Sequence, residues 1–89
     1  MIYINTNSLW DEMSAIASEA LSEIENALDK SGEKSIPTTF GTLYYDNEED
    51  DLYIREKDGE ENPLREYNTH DILNVADELN DYFNKKEQK

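Results

Sequence analysis

Five carboxylates fall within six residues at Asp46-Asn47-Glu48-Glu49-Asp50-Asp51. Side chains of this type at this density can ligate a hard cation, share a proton as a general acid/base pair, or offer negative charge to a basic surface. Cation ligation fails on spacing. With Asp46 as the first ligand of an EF-hand loop, Glu48 and Asp50 take the third and fifth places. The sixth place, which requires glycine, is Asp51, and the twelfth, which requires a bidentate glutamate, is Lys57. No metal site is expected here.

Acid/base chemistry has no signature, because carboxylate pairs recur throughout a chain with 22 acidic residues. His70 is the only histidine and there is no cysteine, so neither a nucleophile triad nor a metal cluster can be assembled around them. Gly32, Gly41 and Gly59 are isolated and form no phosphate-cradling loop. The chain is expected to be no enzyme, with no catalytic residues and no cofactor.

Presentation of charge has far more behind it. The 89 residues carry a net charge of −14, and residues 1–29 hold no Lys or Arg. Phosphates and anionic membrane surfaces are repelled by such a chain, so direct nucleic-acid or membrane binding is not expected. A basic protein is attracted, and long-range attraction speeds the encounter. Twenty-two acids spread over about 5,400 Å² of surface stand roughly 15 Å apart, far sparser than the one charge per about 1.7 Å of a DNA duplex. Only clustering brings the density closer. From Asp46 to Glu61, nine acids face only Arg55 and Lys57.

The candidate partner-binding residues are therefore Asp46, Glu48, Glu49, Asp50 and Asp51 as phosphate substitutes. Glu56, Asp58, Glu60 and Glu61 extend the patch along one end of the molecule. Tyr45 and Tyr53, flanking the acidic turn, add stacking area, since tyrosine gives large contact area at low entropic cost. The expected function is a small acidic inhibitor that occupies the nucleic-acid site of a basic nucleic-acid-handling protein, an effector or nuclease. Size and charge are of the kind seen in phage-encoded anti-CRISPR and anti-restriction proteins. Two alternatives share part of this signal. One is an immunity protein or antitoxin against a basic toxin. The other is a regulatory or adaptor domain binding through its first helix, around Trp10. A solvated hairpin tip that deters aggregation is the plainest reading of the charge.

The elements that must hold these residues follow from periodicity. Apolar residues at Leu9, Met13, Ile16, Ala17, Ala20, Leu21, Ile24 and Leu28 recur at three and four, which predicts one amphipathic helix capped by Asn7 or Ser8 and ended by Lys30-Ser31-Gly32. Ile72, Val75, Ala76, Leu79 and Phe83 predict a second, capped by Asn68 or Thr69, with Asp71, Asn74, Asp77, Glu78 and Asp81 facing water. Between them, strands are expected at Thr38–Tyr45, Leu52–Lys57 and Leu64–Tyr67, with a turn over Lys57–Pro63. In the first strand either face can meet the helices. In the second, Leu52 and Ile54 face inward and Tyr53 and Arg55 outward.

The expected fold is a two-layer α+β domain over residues 1–89. A three-stranded antiparallel meander packs on two helices in the order α-β-β-β-α. Met1–Asn5 is an added short strand or an apolar strap, and residues 85–89 form a frayed tail. No apolar run reaches the length of a membrane span and no signal peptide is evident, so a cytoplasmic location in a bacterial cell or phage-infected host is expected.

Overall fold

A computed structural model of the chain describes residues 3–11 and 17–87. The expected first helix is present as α1 (Thr6–Asp11) and α2 (Ala17–Ser31). Met13 and Ile16 lie outside the described residues, as do Met1 and Ile2. The cap of α1 is neither Asn7 nor Ser8. Asn5 supplies it, its Oδ1 accepting from the Ser8 amide at 3.4 Å. Ala20, Ile24 and Leu28 of α2 are buried as expected; Ala27 joins them, and Leu21 is only partly buried. The helix ends where expected: Gly32 adopts φ +73 and its amide bonds the Asp29 carbonyl.

The sheet has four strands, not three, in the order β1 (Ser35–Thr38), β2 (Gly41–Asp46), β3 (Asp51–Arg55) and β4 (Glu61–Pro63), all antiparallel. The expected first strand is a hairpin. Its two-residue turn, Thr39-Phe40, is flanked by the pair Thr38 and Gly41. The third strand lies earlier than expected, at Glu61–Pro63, within the stretch read as a turn. Leu64–Glu66 forms a 3₁₀ turn instead. Both prolines of the chain sit in edge strands, paired with Thr42 and Tyr53. Proline donates to no ladder, so each occupies a position whose N–H would face outward, and each blunts an edge that could recruit another strand.

One sheet face is buried. Ile36, Leu43 and Ile54 stand side by side in register with Leu52 beyond them, and all are covered by helices. The helical cover is α2 and α3 (Thr69–Glu87), the latter contributing Ile72, Leu73, Val75, Ala76, Leu79 and Phe83 to the same core. Asn68 caps α3, its Oδ1 accepting from the Asp71 amide at 2.8 Å. The helix continues to Glu87 and so takes in Lys85–Glu87 of the expected tail, whose last two residues lie outside the described ones.

The polar face of α3 is not simply a water face. Glu78 accepts from both the amide and the hydroxyl of Thr39 at 2.8 Å each, which ties the β1–β2 turn to the helix. Asp77 accepts from the Trp10 indole at 3.0 Å. Asn80 donates to the Ile4 carbonyl and accepts from the Ile4 amide, both at 2.8 Å. Tyr3–Asn5 is thus a strap, not a strand. Ile4 is buried, and the Asn80 side-chain amide satisfies its backbone N–H, while its carbonyl accepts from both Asn80 and the Thr6 amide. Among the described residues no helix is long and apolar enough to cross a membrane.

Candidate functional site: an acidic hairpin tip beside an open tyrosine face

Residues 46–51 form the tip that joins β2 to β3. Asp46 and Asp51 are the last ladder pair. The Asp46 Oδ1 accepts from the Glu48 amide at 2.9 Å and the Glu49 amide at 3.2 Å, so this carboxylate folds the turn. Asp50 closes the turn with φ 55, a left-handed conformation that Asp tolerates better than most residues. Asp51 accepts from the Leu52 amide and ion-pairs with Arg65. The side chains of Glu48, Glu49 and Asp50 are exposed and enter no hydrogen bond or ion pair among the described residues. The sequence motif therefore divides by role. Asp46 and Asp51 build the tip, and the three acids between them present charge.

The second acidic stretch is elsewhere. Strand β3 has five residues, and at about 3.3 Å per residue it holds the two turns roughly 16 Å apart, at opposite ends of the sheet. The expectation that Asp46 to Glu61 lines one end is overturned by this topology. At the far end the carboxylates are largely engaged. Glu56 accepts from Asn62 at 3.0 Å and from the Tyr67 hydroxyl at 3.1 Å. Asp58 accepts from the Glu60 amide at 2.9 Å and so folds its own turn. Glu61 bonds Arg55 at 3.2 Å and also accepts from Tyr44. Only Glu60 among these has no side-chain partner among the described residues.

The tyrosines divide by strand parity. Tyr45 shares the face of Leu43 and packs against the core, as does Tyr67. Tyr45 therefore does not supply stacking area beside Tyr53. That place belongs to Tyr44, which sequence reasoning did not select. Tyr44 and Tyr53 are cross-strand partners on the open face, with ring centroids 6.0 Å apart and planes inclined by 27°. The Arg55 guanidinium lies 5.0 Å from the Tyr44 ring centroid. Pro63 flanks the pair in the same register, and Thr42 and Pro37 lie in the next row. The missed signal was present in the chain. Leu43 pairs with Ile36 and Ile54, and an edge strand at Ser35–Thr38 would have decided which face of β2 is buried.

Electrostatics follow this geometry. Desolvation, and then donation of its hydroxyl to Glu61, push the Tyr44 pKa up to about 12. Desolvation and the Glu56 hydrogen bond push Tyr67 up to about 12 as well. Tyr53 is also raised, by desolvation and by the nearby charges of Glu49 and Asp46. Hydrogen bonds from Tyr44 and Arg55 lower the Glu61 pKa.

An alkaline absorbance titration tests the arrangement. Ordinary tyrosines ionise near 10, whereas Tyr44 and Tyr67 should ionise about two pH units later. Because the folded state holds these protons after the unfolded chain has released them, their stabilisation is complete below pH 10 and is lost as pH rises toward 12. Tyr44→Phe and Tyr67→Phe should each delete one late-ionising phenol. A titration in which all tyrosines ionise together would exclude the Tyr44–Glu61 and Tyr67–Glu56 bonds.

Trp10 is half-buried, bonded to Asp77 and set edge-on to His70 with centroids 5.2 Å apart. His70 also contacts Asn74 at 3.1 Å, as befits a residue in the first turn of a helix. Compared with protein-family models, curated proteins and solved structures, the chain finds no match.

Proposed function

We propose that this chain is a small acidic inhibitor that binds a basic nucleic-acid-handling protein and occupies its nucleic-acid site. The observation that carries this reading is the β2–β3 hairpin, whose tip bears the uncompensated Glu48, Glu49 and Asp50 and whose middle ladder pair is the partly exposed stack Tyr44–Tyr53, with Tyr53 within reach of the Glu49 and Asp46 charges. Negative charge next to stacked rings is what a nucleic-acid groove recognises, since such grooves combine cationic side chains with aromatic platforms.

The arrangement supports imitation of a single strand better than of a duplex. The two acidic turns are roughly 16 Å apart across the sheet, too wide a gap to reproduce the near-continuous charge of duplex phosphates. A locally flexible strand of bases and phosphates is matched more closely by one acidic tip and one ring stack. The far-end acids Glu56, Asp58 and Glu61 contribute to the field around the molecule, while their side chains serve the fold. The adaptor reading through the first helix has less support, because the Trp10 indole is committed to Asp77.

The test is displacement. A fluorescent oligonucleotide bound to candidate nucleases or effector complexes should be released as the protein is titrated in, with anisotropy falling to that of the free strand. A stable ternary complex, in which the effector holds oligonucleotide and this protein together, would sink the proposal.

A further inference from the structure

We infer that the tip-side face of the Tyr53 ring seats an arginine side chain of the partner protein, as Tyr44 already seats Arg55. That the cation belongs to a partner rests on the proposed function. The seat itself rests on separate observations.

The first is a guanidinium already held on this stack. Arg55 lies 5.0 Å from the Tyr44 ring centroid and bonds Glu61 at 3.2 Å, so it combines an aromatic face with a carboxylate. Tyr44 leans toward it, because the Tyr44 hydroxyl donates to the same Glu61, which pairs with Arg55 in the ladder row away from the tip. Tyr44 therefore covers Tyr53 from the Arg55 side. Tyr44 is the one ring stacked on Tyr53 among the described residues, and neither cation–π contact found there involves Tyr53.

The second is the space on the tip side. Asp46 and Asp51 form the next row on this face, two residues beyond Tyr44 and Tyr53. That step is roughly 7 Å along the strands. It leaves room for one flat group at a contact distance of about 3.5 Å from the ring. Aspartate is shorter than tyrosine, so the outer part of the Tyr53 ring stands clear of that row.

Charge selects a cation for this place. After desolvation, the charges that raise the Tyr53 pKa are the carboxylates of Glu49 and Asp46, then those of Glu66 and Glu61. Glu49 and Glu66 are exposed and their side chains bond nothing among the described residues. The arginines of this face are already paired, Arg55 with Glu61 and Arg65 with Asp51. A nucleobase also stacks on tyrosine, but these acids repel its phosphates. An ammonium is compact and strongly hydrated, whereas a guanidinium is flat, weakly hydrated and able to stack while its edge meets carboxylates.

The test needs no identified partner. Ring ¹H–¹³C shifts of the tyrosine-labelled protein are followed during titration with N-acetyl-arginine methylamide, N-acetyl-lysine methylamide, adenosine, and sodium chloride at matched ionic strength. The arginine probe should move the Tyr53 ring saturably, with half-saturation on the order of millimolar. The lysine probe and adenosine should each bind at least about threefold more weakly. Salt alone should leave the ring in place.

Glu49→Gln combined with Glu66→Gln should weaken the arginine probe by about threefold. Tyr53→Leu should abolish saturation, read at the amides of Asp46 and Glu49. Arg55→Gln uncovers Tyr44 and should bring its ring into the response as a second seat. The inference is overturned by a Tyr53 ring that never saturates, by equal affinity for arginine and lysine, or by tighter binding of adenosine. Arginine binding unchanged in Tyr53→Leu, or a silent Tyr44 ring in Arg55→Gln, would overturn it as well. The outcome is separable from the proposed function. A protein that displaces oligonucleotide while Tyr53 ignores arginine loses only the seat, and one that binds arginine on Tyr53 but displaces nothing loses only the inhibitor reading.

Discussion

Replacing Gly41 by alanine should destabilise the protein by roughly 2–5 kcal/mol, combining backbone strain with a steric clash. Gly41 opens β2 immediately after the Thr39-Phe40 turn and adopts φ +137, a region that side chains other than hydrogen rarely enter. A Cβ there would lie 2.4 Å from the Arg55 carbonyl oxygen and 3.0 Å from the Glu56 Cα. Both obstacles are backbone of the neighbouring strand and its continuation, so no side-chain rotation relieves them. For a chain of this length the whole folding free energy is on the order of 4–13 kcal/mol. The loss should appear as a fall in melting temperature of about 10–25 °C.

Gly32→Ala is the control. Gly32 also has positive φ, at +73, but nothing lies within 4 Å of the position a methyl group would take there. It should cost only about 1 kcal/mol. Asparagine, which accepts the left-handed region, should be milder at Gly32 and no better than alanine at Gly41. Equal urea midpoints for Gly32→Ala and Gly41→Ala would show that β3 yields to the new methyl.

Gly41 also marks where the sequence was hardest to read. As one glycine amid Phe40, Thr42, Leu43 and Tyr44, it passes for an interruption in a single strand. In the fold it begins a second one. The two unread strands, β1 and β4, are both edges. An edge strand in this sheet needs little inward surface, Ile36 in one case and Asn62 in the other, and so its composition resembles a turn. Proline misleads further, because Pro37 and Pro63 are permitted only at outward-facing edge positions. Where burial is demanding the pattern was clear. The alternation of Leu52 and Ile54 against Tyr53 and Arg55 is as the structure has it, and the 3.6-residue stripes of α2 and α3 enclose the core.

For the candidate site, the acidic tip was legible as a cluster and its internal division of labour was not. Asp46 as a turn-forming acceptor and Asp51 as the partner of Arg65 depend on contacts that sequence order does not reveal. The same holds for the acid run to Glu61. Its residues are neighbours along the chain, yet β3 carries them to opposite ends of the sheet.

That division sets the second large effect. The variant Glu48→Gln, Glu49→Gln, Asp50→Asn should lower affinity for the effector identified by displacement by roughly ten- to a hundredfold. Most of the loss should fall on the association rate, and the dependence of affinity on salt should flatten. The three substitutions leave the tip intact. Asp46 still accepts from the amides of residues 48 and 49, Asp51 still pairs with Arg65, and asparagine suits the left-handed position at 50. Removing like charges from so short a turn should hold or slightly raise the melting temperature, so a binding defect cannot be ascribed to unfolding.

The matched control is Glu19→Gln, Glu23→Gln, Asp81→Asn, which removes the same charge from exposed helical positions away from the tip. It should change affinity by no more than about threefold, since distant exposed charges act only through a screened field. If the two variants weaken binding equally, net charge alone steers the partner and the tip has no special place in the contact. If neither does, Glu48, Glu49 and Asp50 are a solvated hairpin end, and the surface that meets a basic partner must be sought elsewhere on the protein.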